Sequence, residues 1–187
     1  MRFPLSGAIA LALALPASIH AQAADPARAT VQTLDDGLLA IMKAGKAAGM
    51  RGRMASIGPV VDRTFDLPLM TRLAVGTAWT GIAPGDQQAL VAAFRRLTVS
   101  QYASNFDGFS GQSFTVAPQV DQRGGDRLVR TTLNDPHGAP TAISYRLRQG
   151  NGGWRIIDVF YRNSISQLAT RRSDFASVLQ SLSLIHI

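Results

Sequence analysis

Few side chains in this 187-residue chain could act as an acid, a base or a metal ligand. The sequence contains no cysteine and no glutamate, and it has three histidines. His20 lies in an apolar leader and His186 in an unusual tail, which leaves His137, in a Pro-His-Gly turn, as the dependable imidazole. A zinc site, a Cys-His pair or a Ser-His-Asp triad needs more such groups. We therefore expect no metal, no cofactor and no nucleophilic catalysis.

Three aspartates remain as candidates for acid-base chemistry. Asp66 is better explained as a helix cap, and Asp107 as a helix-end or turn residue. Asp158 differs because it lies inside the most strand-like segment, 153–161, where an unpaired carboxylate is costly to bury. We predict that Asp158 is paired, on the sheet face of Trp154. A small isomerase or hydratase with Asp158 as its base stays an alternative.

The N-terminal residues have the pattern of a cleavable secretory signal. An apolar run from Leu5 to Leu15 follows Arg2, and Ala21-Gln22-Ala23 has the form of a cleavage site. The run is about half of the ~20 residues that cross a bilayer, and the chain has no cysteine to acylate. We predict a signal peptide over 1–23, export to the periplasm, and one domain over 24–180.

The mature chain is basic. Without Arg2 it has 18 basic residues against 12 acidic ones, a net charge of +6. This charge could serve anionic headgroups or an acidic protein, while export argues against nucleic acid. The Arg95-Arg96 and Arg171-Arg172 pairs are typical of solvated helix faces. An adaptor that binds a membrane transporter through these arginines, and carries nothing, is a second alternative.

The first half of the mature chain has helical periodicity. Asp25-Pro26 predicts the start of a helix with an apolar stripe through Leu34 and Leu38. Asp66 predicts the cap of a short helix that ends near Gly76. Further helices are predicted over 53–63, 86–106 and 165–179.

Between the last two of these helices the pattern alternates, as in strands. Four strands are predicted over 113–120, 127–133, 141–149 and 154–161. In the last strand, simple alternation places Trp154 and Ile156 on one face and Val159 and Tyr161 on the other. Helices, then strands, then a helix predict an α+β domain whose helices cover one face of an antiparallel four-stranded sheet. Residues 181–187 break the pattern and are predicted to be a non-native tail.

The large apolar side chains are the remaining candidates for function. A curved sheet under helices can leave a gap that binds an apolar ligand, although ordinary core packing explains any single residue more simply. We predict that such a gap is lined by Leu69, Met70, Leu73, Phe94, Leu97, Tyr102, Ile143, Tyr145, Leu147, Trp154, Ile156 and Val159.

Several segments, in this order, resemble the periplasmic lipid-carrier family known as MlaC or toluene-tolerance auxiliary proteins. They are Phe65-Asp66-Leu67-Pro68-Leu69-Met70, Trp79, Phe94, Tyr102, Tyr145-Arg146-Leu147 and Trp154-Arg155-Ile156-Ile157-Asp158-Val159. The segment 164–175 is most similar to the hopanoid-associated branch called HpnM. The chain departs from the family at Asn163, where Gly is usual, and after Leu179, where the family's final helix continues.

The resemblance implies a fold similar to nuclear-transport-factor-like domains, with acyl chains held between sheet and helices. It implies a carrier of phospholipid or hopanoid between the inner and outer membranes, not an enzyme. Such a carrier is the soluble component of an ABC transport system that maintains the outer membrane. The implied partners are an inner-membrane transporter and an outer-membrane lipoprotein complex.

Overall fold

A computed structural model describes residues 25–185 of the chain, with side chains as far as Ser177. The predicted signal peptide lies outside the described residues. The helices are α1 Pro26–Ala44, α2 Gly49–Thr64, α3 Leu67–Val75, α4 Pro84–Asn105 and α5 Gln167–Ile185. The strands are β1 Ser113–Arg123, β2 Asp126–Asn134, β3 Thr141–Gly150, β4 Gly153–Tyr161 and β5 Ile165–Ser166. Within 25–185, no helix combines the length and apolar character needed to cross a bilayer.

The two predicted aspartate caps begin α1 and α3. Oδ1 of Asp25 accepts a hydrogen bond of 2.9 Å from the backbone N–H of Ala27. Oδ1 of Asp66 accepts one of 3.1 Å from the N–H of Leu69. A proline follows each cap in the first turn, where its missing N–H costs nothing. Both predictions are confirmed.

Helix α2 begins four residues before the predicted start and runs through Pro59. Proline in a helix interior removes one backbone hydrogen bond and crowds the preceding turn. Burial of Ile57 and Val61 on either side of it keeps the helix continuous. The helix then packs between α1 and α4.

The five antiparallel strands form one sheet in the order β1-β2-β3-β4-β5. The α+β class is therefore confirmed, but the predicted number of four strands is wrong. The additional strand, β5, consists of two residues that pair with Phe160 and Tyr161. Two residues are too few to show the alternation of a strand, so the sequence pattern assigns them to the predicted helix 165–179.

A β-bulge in β4 overturns the predicted faces of this strand. Asp158 pairs with Arg146 and Ile156 pairs with Leu147, so Ile157 is the extra residue. Paired residues share a face, which places Trp154, Ile156, Val159 and Tyr161 together on the Leu147 side. Asp158 lies on the opposite face from Trp154, and the prediction that they share a face is wrong.

The two faces of the sheet have different environments. On the helix-facing side, Val129, Tyr145, Leu147 and Ile156 are buried in the core together with α1 and α2. On the other side, the carboxylate of Asp126 pairs with Arg148 at 2.7 Å and with Arg146 at 2.6 Å. These guanidinium groups, Arg148 first, hold the pKa of Asp126 below its ordinary value. The helices thus cover one face, and arginines cover the other.

Candidate functional site

A cavity of about 600 Å³ lies between the helix-facing side of the sheet and helices α3, α4 and α5. Its volume falls within the range of small-molecule sites, and most of its wall is apolar. The wall consists of Phe65, Met70, Phe94, Thr98, Gln101, Tyr102, Asn105, Phe106, Leu133, Thr141, Ile143, Tyr145, Val159, Tyr161, Gln167, Leu168 and Arg171.

Six of the twelve predicted lining residues lie in this wall. They come from α3, α4, β3 and β4, which meet because β3 and β4 pair while α3 and α4 pack above them. The six are Met70, Phe94, Tyr102, Ile143, Tyr145 and Val159.

The structure does not bring the other six to the cavity, and three of them belong to the sheet. Leu147 and Ile156 are fully buried in the solid core, where they pair with each other across β3 and β4. Trp154 is half-buried near α1 and packs under the guanidinium of Arg127, 5.0 Å from the ring centroid. The cavity occupies the other end of these strands, which residue type alone does not reveal.

The remaining three lie on helix faces beside the inward ones. Helix α3 buries Met70 and Ala74, so Leu69 and Leu73 fall on a neighbouring face and are half-buried. On α4 the inward residues recur at i, i+4, i+7 and i+11 from Phe94. Leu97 lies off this stripe and is 37% exposed.

Sequence reasoning missed the polar part of the wall. Thr98, Gln101 and Asn105 follow Phe94 at helical spacing on the same face of α4. This spacing was a usable signal, but a search for apolar stripes passes over it. Sequence reasoning also missed a row of four aromatic rings. Successive ring centroids in this row are 5.8, 6.0 and 6.3 Å apart, in the order Phe65, Tyr102, Phe106 and Phe114.

The rim of the cavity combines apolar and cationic groups. Tyr161 lines the cavity and is 40% exposed. Arg171 also lines it, and its Nη1 lies 3.5 Å from a carboxylate oxygen of Asp174. A ligand in the cavity would thus meet a guanidinium near the surface, where a polar head would remain solvated.

A buried acid lies behind the cavity wall. Asp35 of α1 is fully buried, and neither of its carboxyl oxygens makes a hydrogen bond of normal geometry. Burial, and then the charge of Asp36, raises its pKa to about 8, which the hydroxyls of Tyr145 and Thr131 offset only in part. Asp35 is therefore mostly protonated at neutral pH.

The two tyrosines of the wall respond to the same environment. Burial, followed by the charge of Asp35, raises the pKa of Tyr102 and of Tyr145 above the ordinary value. Both hydroxyls stay neutral near pH 7. Sequence reasoning missed Asp35, although an acid at i+4 from Val31, within the apolar stripe of α1, was a detectable signal.

Asp158 is not part of the cavity wall. Its Oδ2 accepts a hydrogen bond of 2.7 Å from Oγ of Ser166, and its Oδ1 accepts one of 3.0 Å from the N–H of Leu168. The carboxylate therefore caps the first turn of α5. This position leaves the isomerase or hydratase alternative without a base that faces the cavity.

A second, more open depression lies on the other side of Phe65, between α2, α3 and α4. Leu67, Trp79 and Val91 supply its apolar wall. At its edge, Nε of Arg95 is 2.6 Å from a carboxylate oxygen of Asp62. Phe65 belongs to both walls and separates the two spaces.

Fold and site together define an α+β domain that encloses an apolar cavity between an antiparallel sheet and its helices. The chain belongs to the MlaC protein family, whose model matches residues 32–185. The resemblance that the sequence motifs indicate is therefore confirmed at the level of the family. Members of this family are periplasmic in general.

The same fold occurs in a solved structure. A phospholipid-binding protein from Ralstonia solanacearum, solved in complex with a phospholipid, has a TM-score of 0.74 and 24% sequence identity over 85% of this chain and 90% of that chain. An iota-carbonic anhydrase from a cyanobacterium, complexed with bicarbonate, has a TM-score of 0.46 and 18% identity over 80% of this chain and 96% of that chain. No curated protein matches the sequence.

Proposed function

We propose that this protein is an exported, periplasmic lipid carrier that moves phospholipid or hopanoid between the inner and outer membranes. The observation that carries the proposal is the cavity of about 600 Å³ between sheet and helices, with an apolar wall and a rim at the surface. Membership of the MlaC family supports it. The phospholipid in the Ralstonia structure, which has the same fold, is consistent with it.

The cost of moving lipid through water explains why such a carrier is needed. A lipid with two long chains has ~30 methylenes, which at ~0.8 kcal/mol each disfavour transfer into water by roughly 25 kcal/mol. An apolar cavity offsets this cost without breaking or making a bond. In this proposal Arg171, which lines the cavity, contacts the phosphate while the chains lie inside.

We propose partners, a signal peptide and lipid contacts for this carrier as well. The protein is the soluble component of an ABC transport system, with an inner-membrane transporter and an outer-membrane lipoprotein complex as partners, and it resembles the HpnM branch. Residues 1–23 are its signal peptide. Its fold is similar to nuclear-transport-factor-like domains. The six wall residues predicted from sequence, from Met70 to Val159, contact the lipid.

Native mass spectrometry of the protein purified from cells tests the proposal. We expect a mass increment that matches a lipid, and uptake of lipid when protein stripped of ligand is incubated with liposomes. The released molecule, identified by tandem mass spectrometry, distinguishes phospholipid from hopanoid. A lipid-free spectrum together with no uptake from liposomes would contradict the carrier function.

A further inference from the structure

The turn between β4 and β5 has an unusual backbone. Arg162 and Asn163 have φ angles of 51° and 59° and are the non-glycine residues with positive φ in the described part of the chain. The N–H of Ser164 donates to the carbonyl oxygen of Tyr161 at 3.3 Å, within a three-residue loop between the paired residues Tyr161 and Ile165. Oγ of Ser144 donates a hydrogen bond of 2.7 Å to Oδ1 of Asn163 and holds the turn in place.

This turn presents apolar side chains to the surface. Tyr161 and Ile165 face each other across β4 and β5 and are 40% and 50% exposed. The guanidinium of Arg162 lies over the Tyr161 ring, 5.4 Å from its centroid. Two of the five large hydrophobic residues exposed in the described part of the chain thus meet at one turn. Backbone strain combined with exposed apolar groups is typical of a functional surface.

The turn lies at the rim of the cavity. Tyr161 before the turn, and Gln167 and Leu168 after it, all line the cavity. A molecule that passes between the cavity and the surface on this side passes the turn. The exposed apolar surface is therefore continuous with the apolar wall inside.

The charge of the segment is of one sign. Residues 161–172 contain Arg162, Arg171 and Arg172 and no acidic residue. Two acids lie beside the segment: Asp174 pairs with Arg171, and the buried Asp158 bonds to Ser166 and Leu168. The exposed charges of the segment itself are those of Arg162 and Arg172. The rim is thus complementary to an anionic surface.

We propose that Tyr161, Arg162 and Ile165 form a membrane-contact site that sets the mouth of the cavity against an anionic lipid surface. The proposal rests on the carrier function above and adds the surface on which exchange occurs. Aromatic and arginine side chains favour the headgroup region of a bilayer, and an isoleucine beside them inserts among the acyl chains. Exposed cationic charge beside an aromatic and an aliphatic side chain matches the polarity of an anionic bilayer surface, so we assign a lipid surface as the partner.

Flotation of the purified protein with vesicles tests the contact site. We expect the protein to float with vesicles of phosphatidylglycerol and phosphatidylcholine, to float less with phosphatidylcholine alone, and to dissociate as salt is added. Arg162→Gln should lower the partition coefficient about fivefold. Ile165→Ser should lower it about tenfold. Neither residue belongs to the cavity wall.

Matched controls separate a local effect from a general one. Met50 is 39% exposed at the start of α2, outside the cavity wall, and Arg51 beside it is also exposed. Met50→Ser and Arg51→Gln should float like the unaltered protein. Ile165→Trp should float as well or better, with a melting temperature equal to that of the unaltered protein, which excludes misfolding as the cause. Equal flotation of Ile165→Ser, Arg162→Gln and the controls would overturn the proposal.

Lipid content, measured on the same samples, separates this proposal from the carrier function. A protein that holds lipid but does not float overturns the contact site and leaves the carrier function standing. A protein that floats with the expected variant pattern but never holds lipid supports the contact site and contradicts the carrier function. Lipid transfer that needs a partner protein, with no vesicle binding of its own, would assign the turn to a protein interface and overturn the proposal.

Discussion

The backbone N–H of Leu168 donates a hydrogen bond of 3.0 Å to Oδ1 of Asp158. Oγ of Ser166, two residues before Leu168, donates a hydrogen bond of 2.7 Å to Oδ2 of the same carboxylate. Because Leu168 lies in the cavity wall, this carboxylate on β4 positions the helix that closes one side of the cavity. The acid that sequence analysis considers as a base therefore supports the first turn of α5, together with Ser166, whose Oγ accepts a hydrogen bond of 2.9 Å from the N–H of Ala169.

Asp158→Ala should lower the free energy of unfolding by about 1–3 kcal/mol, because the Leu168 N–H and the Ser166 hydroxyl lose their acceptor. Asp158→Asn should cost less, because its amide oxygen still accepts a hydrogen bond. Urea unfolding measures the loss, and hydrogen exchange over 167–177 should show α5 opening first. Unaltered stability and exchange in Asp158→Ala would contradict this structural role of Asp158.

Much of the fold could be predicted from the sequence because its signals are local. Asp25-Pro26 and Asp66 mark the helix starts, and glycine-rich turns separate four alternating strands. The bulge at Ile157 could not be predicted, because Ile156 and Ile157 are the same residue type and nothing in the sequence marks the extra position. That one residue decides which side chains of β4 face the helices.

Asp35→Asn should make the protein more stable at pH 8 and flatten its pH dependence. The pKa of Asp35 is about 8 in the folded state against an ordinary value of 3.8. Between these values the folded state holds a proton that the unfolded state has released. Stability therefore falls as pH rises from 4 toward 8, by at most about 1.4 kcal/mol per pH unit, and levels off above.

Thermal unfolding from pH 4 to pH 9 measures this difference between Asp35→Asn and the unaltered protein. Asp36→Asn gives an intermediate case, because it removes one charge that raises the pKa of Asp35 but leaves Asp35 buried. Its melting temperature should still fall with rising pH. If Asp35→Asn keeps the same slope as the unaltered protein, Asp35 is ionised at neutral pH and the assignment is wrong.

The cavity wall was harder to predict than the fold because it depends on where packing stops. Ile143 and Leu147 have the same residue class and the same strand face, yet the first lines the cavity and the second is in the solid core. The difference lies in which helix passes above each residue. Helix spacing, by contrast, contained usable information about Thr98 and Gln101, since they follow Phe94 at i+4 and i+7.

Arg53→Ala should lower the free energy of unfolding by about 3 kcal/mol. Nε of Arg53 donates to the carbonyl oxygen of Ala103 and Nη1 to that of Gly45, both at 2.8 Å, and the residue is 6% exposed. It thereby joins the C-terminal ends of α4 and α1, and charged hydrogen bonds of this kind contribute about 1.5–3 kcal/mol each.

Urea denaturation measures the effect, and Arg51→Ala, exposed two residues earlier on α2, is the control. The control should change stability by less than about 0.5 kcal/mol. Arg53→Lys should recover little of the loss, because an ammonium cannot reach two separate carbonyl groups with fixed geometry. A fully stable Arg53→Lys variant would show that charge alone, not the planar fork, holds the helix ends.

Thr98→Trp should block lipid binding without unfolding the protein. Thr98 is a half-buried wall residue, and its hydroxyl donates to the Phe94 carbonyl of its own helix. The substitution therefore removes a hydrogen bond within α4 and not one that joins α4 to another element. The indole projects into the cavity and occupies space that acyl chains need.

Ala93→Trp adds the same bulk at an exposed position of α4 outside both cavity walls and should bind lipid normally. Native mass spectrometry after incubation with liposomes measures the bound fraction. Equal lipid uptake by the two variants, at equal melting temperature, would mean that the lipid occupies another part of the molecule.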